Sequence, residues 1–336
     1  MSDSVVTLNH GAGGETMRGF IKQLFIESFA NPLLDTLADA ALLNLPGTRL
    51  AFTTDSYVIK PVEFPGGNIG KLAVCGTVND LAVMGAKPLY LSAGFILEEG
   101  LDYSRLERIV RAMAKTAREA GVEIVTGDTK VVPRGECDGI FINTAGIGVV
   151  PQGNGLSPLL VAPGDAIIVS GTMGDHGLAV LSAREGLSFQ TQIESDCAPL
   201  GDLIGGVLKI SPGVKWMRDP TRGGLAAVLT ELSEGQPFGV LIQEAAVPVR
   251  EDVKAVCELL GFDPLHLANE GKVVMVVEES AAGGVLEILK THPLGKNAAL
   301  IGQVTEGPAG VVRVQTEVGG VRRLQRPAGE LLPRIC

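Results

Sequence analysis

"NIGKLAVCGTVNDLAVMGA", residues 68–86, is the stretch on which the fold turns. It predicts a helix that is apolar on nearly every side, and such a helix is buried among other elements rather than laid on a surface. Two polar residues, Asn79 and Asp80, interrupt it in the middle. A buried carboxylate costs several kcal/mol, roughly, unless it is paired or holds a metal. Asp80 is therefore the first candidate functional residue, and what surrounds this helix decides what Asp80 does.

Outward from it, "RLAFTTDSYVI" (49–59) alternates and is β-branched, which predicts a strand. "YSRLERIVRAMAKTAREAG" (103–121) predicts an amphipathic helix: Leu106, Ile109, Val110, Met113 and Ala117 share one face and Gly121 stops it. "VEIVTGDTKVV" and "GIFINTAGIGVV" (139–150) read as strands. The Pro/Gly-rich "PQGNGLSPLLVAPGD" marks a boundary. A second series of strands and helices follows from 166 to about 316. The expected fold class is α+β, with mixed sheets packed against helices. The expected domains are an N-terminal domain over 1–150, a linker over 151–165, an α+β domain over 166–322, and a flexible tail over 323–336 carrying Cys336.

The totals agree with two domains. A chain of 336 residues exceeds one ordinary core, and 46% hydrophobic residues supply ample apolar surface. The 28 basic against 38 acidic residues, a formal charge of −10, and scarce aromatics argue against a nucleic-acid partner. An acidic site that handles phosphate calls for magnesium as a bridge. The five cysteines, at 75, 137, 197, 257 and 336, form no C-x-x-C pair, and an odd count argues against a disulfide framework. With no signal-like start and no apolar run of membrane length, the expectation is a cytoplasmic protein without a membrane partner.

The common nucleotide fingerprints are absent. "PGGNIGKL" (65–72) approaches a P-loop, but its glycine spacing is one short and Leu72 stands where a hydroxyl is needed. "HGAGGETM" (10–17) offers the backbone N–H groups of Gly11, Gly13 and Gly14 to an anion. Asp55 in "TTDSY", Asp128 in "VTGDTK" and Asp219 in "DPTRGG" each sit at an expected strand end, where an aspartate is ordinarily a turn former or cap. Converging with Asp80, they would hold Mg²⁺ and a triphosphate, with Lys130 and Arg222 taking charge. Glu270, in the small-residue loop "ANEGKVV", is a candidate general base. His10 and His176 lie in glycine-rich loops as polar site candidates, whereas His266 and His292 read as structural or superficial.

Taken in order, "TTDSYVI", "FPGGNIGKLAVCGTVNDLAVMGA", "SAGFILEEG", "VTGDTKVV", "FINTAGIG", "VSGTMGDHG", "RDPTRGG", "ANEGK", "HPLGKNAALIG" and the closing "PRIC" resemble the HypE family of hydrogenase maturation proteins. That family lies within the superfamily of aminoimidazole ribonucleotide synthetase, selenophosphate synthetase and thiamine-monophosphate kinase. The resemblance implies a two-domain homodimer that uses ATP and Mg²⁺. It implies that Cys336 receives a carbamoyl group from the carbamoyltransferase HypF. The group is dehydrated to a thiocyanate, whose cyano group passes to iron on a HypC–HypD complex. It further implies Mg²⁺ ligands at Asp55, Asp80, Asp128 and Asp219, and nucleotide contacts at Gly11, Gly13, Gly14, Asn79, Asp80, Asp128 and Arg222. Glu270 and Lys130 would serve in proton abstraction or positioning beside Cys336.

Rival readings of Cys336 are weaker. Prenylation needs a cysteine where Pro333 stands. "NHGAGGETM" lacks the reactive residue of selenophosphate synthetase, and one thiolate without companions makes a poor metal site.

Overall fold

The computed structural model describes residues 14–20, 22, 36–153, 155–185, 193–211, 213–326, 332 and 334–336. A short helix α1 (Glu15–Phe20) precedes the first unit. That unit comprises β1 (Ala41–Leu45), β2 (Thr48–Tyr57), the small hairpin β3 (Glu63–Phe64) and β4 (Gly67–Asn68), α2 (Ile69–Val83), β5 (Lys87–Glu98), α3 (Tyr103–Glu119), β6 (Glu123–Val132) and β7 (Ile140–Val149). The long strands form one sheet in the order β1-β2-β7-β5-β6. The β5–β6 pair is parallel because α3 carries the chain back between them; the other pairs are antiparallel.

Asn68 starts α2 by accepting the Gly70 and Lys71 N–H groups, each at 3.0 Å. Thirteen of the helix's fifteen residues are buried, so its all-round apolar sequence is matched by all-round packing. α3 shows the opposite pattern. It buries Ile109, Met113, Thr116 and Ala117 on one face and leaves its arginines outside, where Arg105 and Arg108 pair with Glu63. The two helices cover one face of the sheet. On the other face Phe52, Tyr90, Ile96 and Ile147 stay 40–46% exposed.

The second unit comprises β8 (Ala166–Val169), α4 (Asp175–Glu185), α5 (Gly201–Ile210), β9 (Val214–Arg218), α6 (Gly224–Ser233), β10 (Gly239–Gln243), α7 (Glu251–Leu260), β11 (Val274–Val277), α8 (Glu279–Thr291), β12 (Ala299–Thr305), β13 (Val312–Gln315) and β14 (Val321–Leu324). Its seven-stranded sheet runs β14-β13-β10-β12-β8-β11-β9. β8 and β11 are buried on both faces. Ile167 and Val169 pack with Leu225 and Leu229 of α6, whereas Ala166 and Ile168 pack with α5 and with Val285 and Leu289 of α8. This is why those strands read as unbroken apolar runs.

One difference from expectation concerns a boundary. Arg323 and Leu324, expected at the start of the tail, belong to β14, because Leu324 is buried opposite Val312. Arg326 is held by Glu231 and Glu234. β5 had no sequence signal of its own: Pro88, Ser92 and Gly94 break its alternation, and its pairing slips between Pro88 and Tyr90. Gly11, Gly13 and His10 lie outside the described residues.

α2 and α3 pack backbone to backbone. A Cβ on Gly70 would sit 2.4 Å from the Ile109 carbonyl oxygen, so neither backbone can relax cheaply. Gly70→Ala should lower unfolding stability by about 1–3 kcal/mol in urea titrations. Gly205→Ala, in open space on α5, should instead be neutral or stabilising by roughly 0.5–1 kcal/mol.

Candidate active site between the two units

α2 runs along the seam between the units, and its polar notch is where they meet. Asn79 is fully buried. Its side-chain N–H groups donate to the carbonyls of Ala198 and Glu270, and its oxygen accepts the Leu200 N–H at 2.8 Å. All three partners belong to the second unit. Asn79 thus satisfies backbone groups of the opposite wall rather than projecting into open space. Glu270 is fixed further by its own N–H, which donates to Asp196 at 3.0 Å.

Asp80, one residue on, faces a group of carboxylates. One oxygen from each of Asp39, Asp80 and Asp219 lies within 4.8 Å of the others. Thr53 donates to Asp80 at 2.9 Å, and Asp55 accepts from Thr77 and Tyr57, each at 3.3 Å. Arg218 pairs with Asp39 at 2.7 Å, too little charge for the set. Burial, then the charges of Asp55, Asp219 and Asp39, hold the Asp80 carboxyl well above the usual carboxylate range. Burial and Asp39 push Asp219 up to about 7. Burial also raises Asp39, despite Arg218, and Asp55. Hard oxygen ligands in excess of positive charge form a cation site in waiting. Beside it opens a cavity of about 480 Å³ lined in part by Gly14, Arg18, Asp39, Trp216, Arg218 and Arg326.

On the Glu270 side of the seam lies Cys336. Its Sγ accepts from the Arg222 guanidinium at 3.0 Å. Burial pushes the thiol up to about 11; Arg222 opposes this, while Glu270 and Asp55 reinforce it. Glu270 is 3% exposed, and its Oε1 has no hydrogen-bond partner among the described residues. Burial, followed by neighbouring acids, holds its carboxyl well above the usual range, a condition that suits a proton acceptor working near neutral pH.

The last residues pair with the chain after β2. Val58 N–H donates to the Cys336 carbonyl at 3.1 Å and Lys60 N–H to the Arg334 carbonyl at 3.2 Å. His176 Nε2 meets the Ile335 carbonyl at 2.8 Å. The Arg334 side chain donates to the Val58 carbonyl, pairs with Asp138 and lies 5.8 Å from the Phe141 ring centre.

The sequence candidates are therefore distributed unevenly. Asp55, Asp80, Asp219, Arg222, Glu270 and Cys336 come to one seam, with His176 behind the last. Gly14 borders the adjoining cavity. Asp128 and Lys130 stand apart, exposed and paired with each other at 2.6 Å, which holds the Asp128 carboxyl below its usual range. Strand register gives the reason. The row Asp55–Thr144–Ala93–Gly127 faces the helices, and the next row, Ser56–Asn143–Gly94–Asp128, faces outward. Asp39 was not among the candidates. The Pro46-Gly47 turn could have revealed it, since a hairpin there brings residue 39 beside Thr53, whose hydroxyl donates to the Asp39 carbonyl.

Because the Asp219 carboxyl titrates near 7 when folded against an ordinary value of 3.8, the folded state holds its proton more tightly than the unfolded one. Stability from this group is complete below about pH 4 and is lost as pH rises through 7. Asp219→Asn should therefore raise the melting temperature of the ligand-free protein. The gain should grow between pH 4 and 7 and level off above, as read by differential scanning fluorimetry.

Family models for the AIR synthase related protein match here in both halves: the N-terminal domain over residues 37–150 and the C-terminal domain over 162–315. The chain is 52% identical to carbamoyl dehydratase HypE of Rhodobacter capsulatus, with 100% of this chain and 99% of the relative covered. A crystal structure of a HypE–HypF complex superposes with a TM-score of 0.88 at 51% identity, covering 92% of this chain and 99% of that one. The hydrogenase maturation protein HypE in complex with ATP superposes with a TM-score of 0.83 at 50% identity, covering 99% and 100%. Thiamine monophosphate kinase from Aquifex aeolicus, 18% identical with a TM-score of 0.65, shares the fold. Among the described residues no helix is long and apolar enough to cross a membrane. The chain belongs to the HypE carbamoyl dehydratase family, built on the paired AIR synthase related domains.

Proposed function

We propose that the protein is an ATP-dependent carbamoyl dehydratase that acts on a carbamoyl group carried by its own Cys336 and leaves a thiocyanate there as the source of a cyanide ligand for hydrogenase assembly. The observation that carries this reading is the seating of the Cys336 thiol in the seam, 3.0 Å from the Arg222 guanidinium and beside the buried, unpartnered Glu270 carboxyl oxygen. ATP is the natural phosphoryl donor, as the ATP complex of a 50% identical relative supports.

The chemistry follows from the poor leaving ability of a carboxamide oxygen. In S-carbamoyl cysteine, R–S–C(=O)–NH₂, that oxygen attacks the γ-phosphorus of ATP; ADP leaves and one N–H proton is lost. The resulting R–S–C(–OPO₃)=NH then breaks its C–O bond. Phosphate carries the oxygen away, the second N–H proton departs and the C≡N bond closes. Glu270 is the residue to take a proton, since its raised affinity makes it a base at neutral pH. Arg222 steadies the sulfur. Asn79 holds Glu270 through its backbone.

Asp39, Asp80 and Asp219, with Asp55 adjoining, fit Mg²⁺: all the ligands are carboxylate oxygens and their mutual repulsion needs a cation. Bound there, Mg²⁺ would neutralise phosphate charge. Docking also keeps the thiol unreactive. At about 11, roughly one thiol in ten thousand is ionised at pH 7, so loading belongs to an undocked state with an ordinary cysteine pKa. The carbamoyl donor in this reading is a HypF-type carbamoyltransferase, supported by the HypE–HypF complex of a 51% identical relative, and the acceptor is a HypC–HypD-type complex, all in the cytoplasm.

The same reading makes the protein a homodimer. The uncovered sheet face, with Phe52, Ile147 and Tyr90 exposed in one row and Ile96 further along the same face, is the surface a second copy would bury. Asp128 and Lys130 share that face, so any part they take in the reaction is taken across the interface. Ile96→Lys should shift the protein toward monomer in analytical ultracentrifugation; an unchanged mass would remove this face from the dimer.

The central test uses the full chain with a HypF protein, carbamoyl phosphate and ATP–Mg²⁺, followed by intact-mass measurement. The carbamoyl adduct should lose the mass of one water only when hydrolysable ATP is present, and no adduct should form on Cys336→Ala. ATP hydrolysis without that loss would return the protein to the small-molecule kinases and synthetases of the same fold.

A further inference from the structure

His176 belongs neither to the carboxylate group nor to the Glu270 base, yet it is wholly buried at the seam. Its ring meets two partners. Nε2 lies 2.8 Å from the Ile335 carbonyl oxygen, which can only accept, so Nε2 carries the proton. Burial lowers the imidazole's proton affinity and keeps the ring neutral, which leaves Nδ1 as an acceptor. Ser195 Oγ, at 2.7 Å, donates to it and in turn accepts the Cys197 N–H at 3.1 Å. The Phe64 ring stands edge-on to the imidazole, 5.5 Å between centres and 88° between planes, and closes its remaining side. The result is a directed chain of hydrogen bonds, Cys197 N–H to Ser195 to His176 to the Ile335 carbonyl. It runs from the second unit to the residue before the reactive cysteine.

We propose that His176, oriented by Ser195, is the positioning residue that clasps the Ile335 carbonyl and thereby sets how long Cys336 stays in the seam. The other two carbonyls of the segment are taken by backbone N–H groups of the first unit, Lys60 to Arg334 and Val58 to Cys336. Arg184 adds a second donor to the Arg334 carbonyl at 2.8 Å. Those backbone donors belong to the chain itself and do not depend on side-chain identity. The middle carbonyl, whose peptide directly precedes the cysteine, is the one held by an imidazole. The His176 contact, borne by a side chain on the carbonyl next to the reactive residue, is a holding point that opens without breaking either unit.

The consequence for catalysis rests on the carrier reading of Cys336 given above, but the clasp is measurable without it. The full chain, free of nucleotide, is treated with iodoacetamide and the alkylation rate at each cysteine is followed by peptide mapping. Half-exposed Cys137 reports the reagent, and buried Cys75, Cys197 and Cys257 report global opening. His176→Ala should speed alkylation of Cys336 by about fivefold to tenfold, the effect of losing one buried hydrogen bond, with the other four rates unchanged. His176→Gln, whose amide N–H can reach the same carbonyl, should recover most of the protection. An unchanged Cys336 rate in His176→Ala would overturn the proposal.

If His176→Ala also opens the buried thiols, Ser195→Ala decides. It deletes one hydroxyl, and should raise the Cys336 rate by about twofold to threefold with Cys75 and Cys257 silent; no rise overturns the clasp. Failure of the wild-type chain to form a nitrile while these rates behave as expected would sink the carrier reading alone.

Discussion

The whole seam depends on one constraint: a helix buried on all sides carries an amide and a carboxylate in its middle, and both must be satisfied without water. Asn79 meets the requirement with three hydrogen bonds to backbone groups of the second unit. Leaving such groups unpaired would cost about 1–3 kcal/mol each, so the two units have a defined way to meet. That docking brings the Glu270 backbone against α2 and Asp219 against Asp80. The helix is thus both the core of the first unit and the datum from which the site is laid out.

Asp80 is satisfied differently. Thr53 gives it a single hydroxyl, and its other neighbours are acids. Asp80, Asp219, Asp39 and Asp55 are kept close at a cost in stability, with Arg218 bonded to Asp39 of the four and shared with Glu231. Such an arrangement persists when the surrounding fold over-determines it and a ligand relieves it. The second half of the seam follows the same logic with different groups. Glu270 and Cys336 are both buried and burial raises the proton affinity of both, next to the Arg222 guanidinium that bonds the sulfur.

Much of this was legible because the relevant signals are local. The α2 stretch announced its burial by an apolar circumference, and Asp80 by interrupting it. The amphipathic α3 followed from periodicity. What escaped was set by pairing between distant segments. Asp39 lies before β1, in no pattern of its own, and joins the acids only because the hairpin folds it beside β2. Asp55 was read as a strand end but lies within β2, where alternation aims it at the helices. Asp128 has an equally suggestive sequence, yet strand order and register turn it to the opposite face, a fact no single segment contains. The clasp on residue 335 is likewise non-local, since a histidine followed by glycine at the start of α4 gives no hint of a partner 159 positions away.

The backbone pairing of residues 334 and 336 with 60 and 58 has a bearing on how sequences of this kind can diverge. Which side chain arrives beside Glu270 is decided by hydrogen-bond register at the point of arrival. A single added residue between Arg334 and Cys336 would shift the register by one and turn the thiol to the other side. Strict spacing across residues 334–336 is the evolutionary signature this pairing imposes.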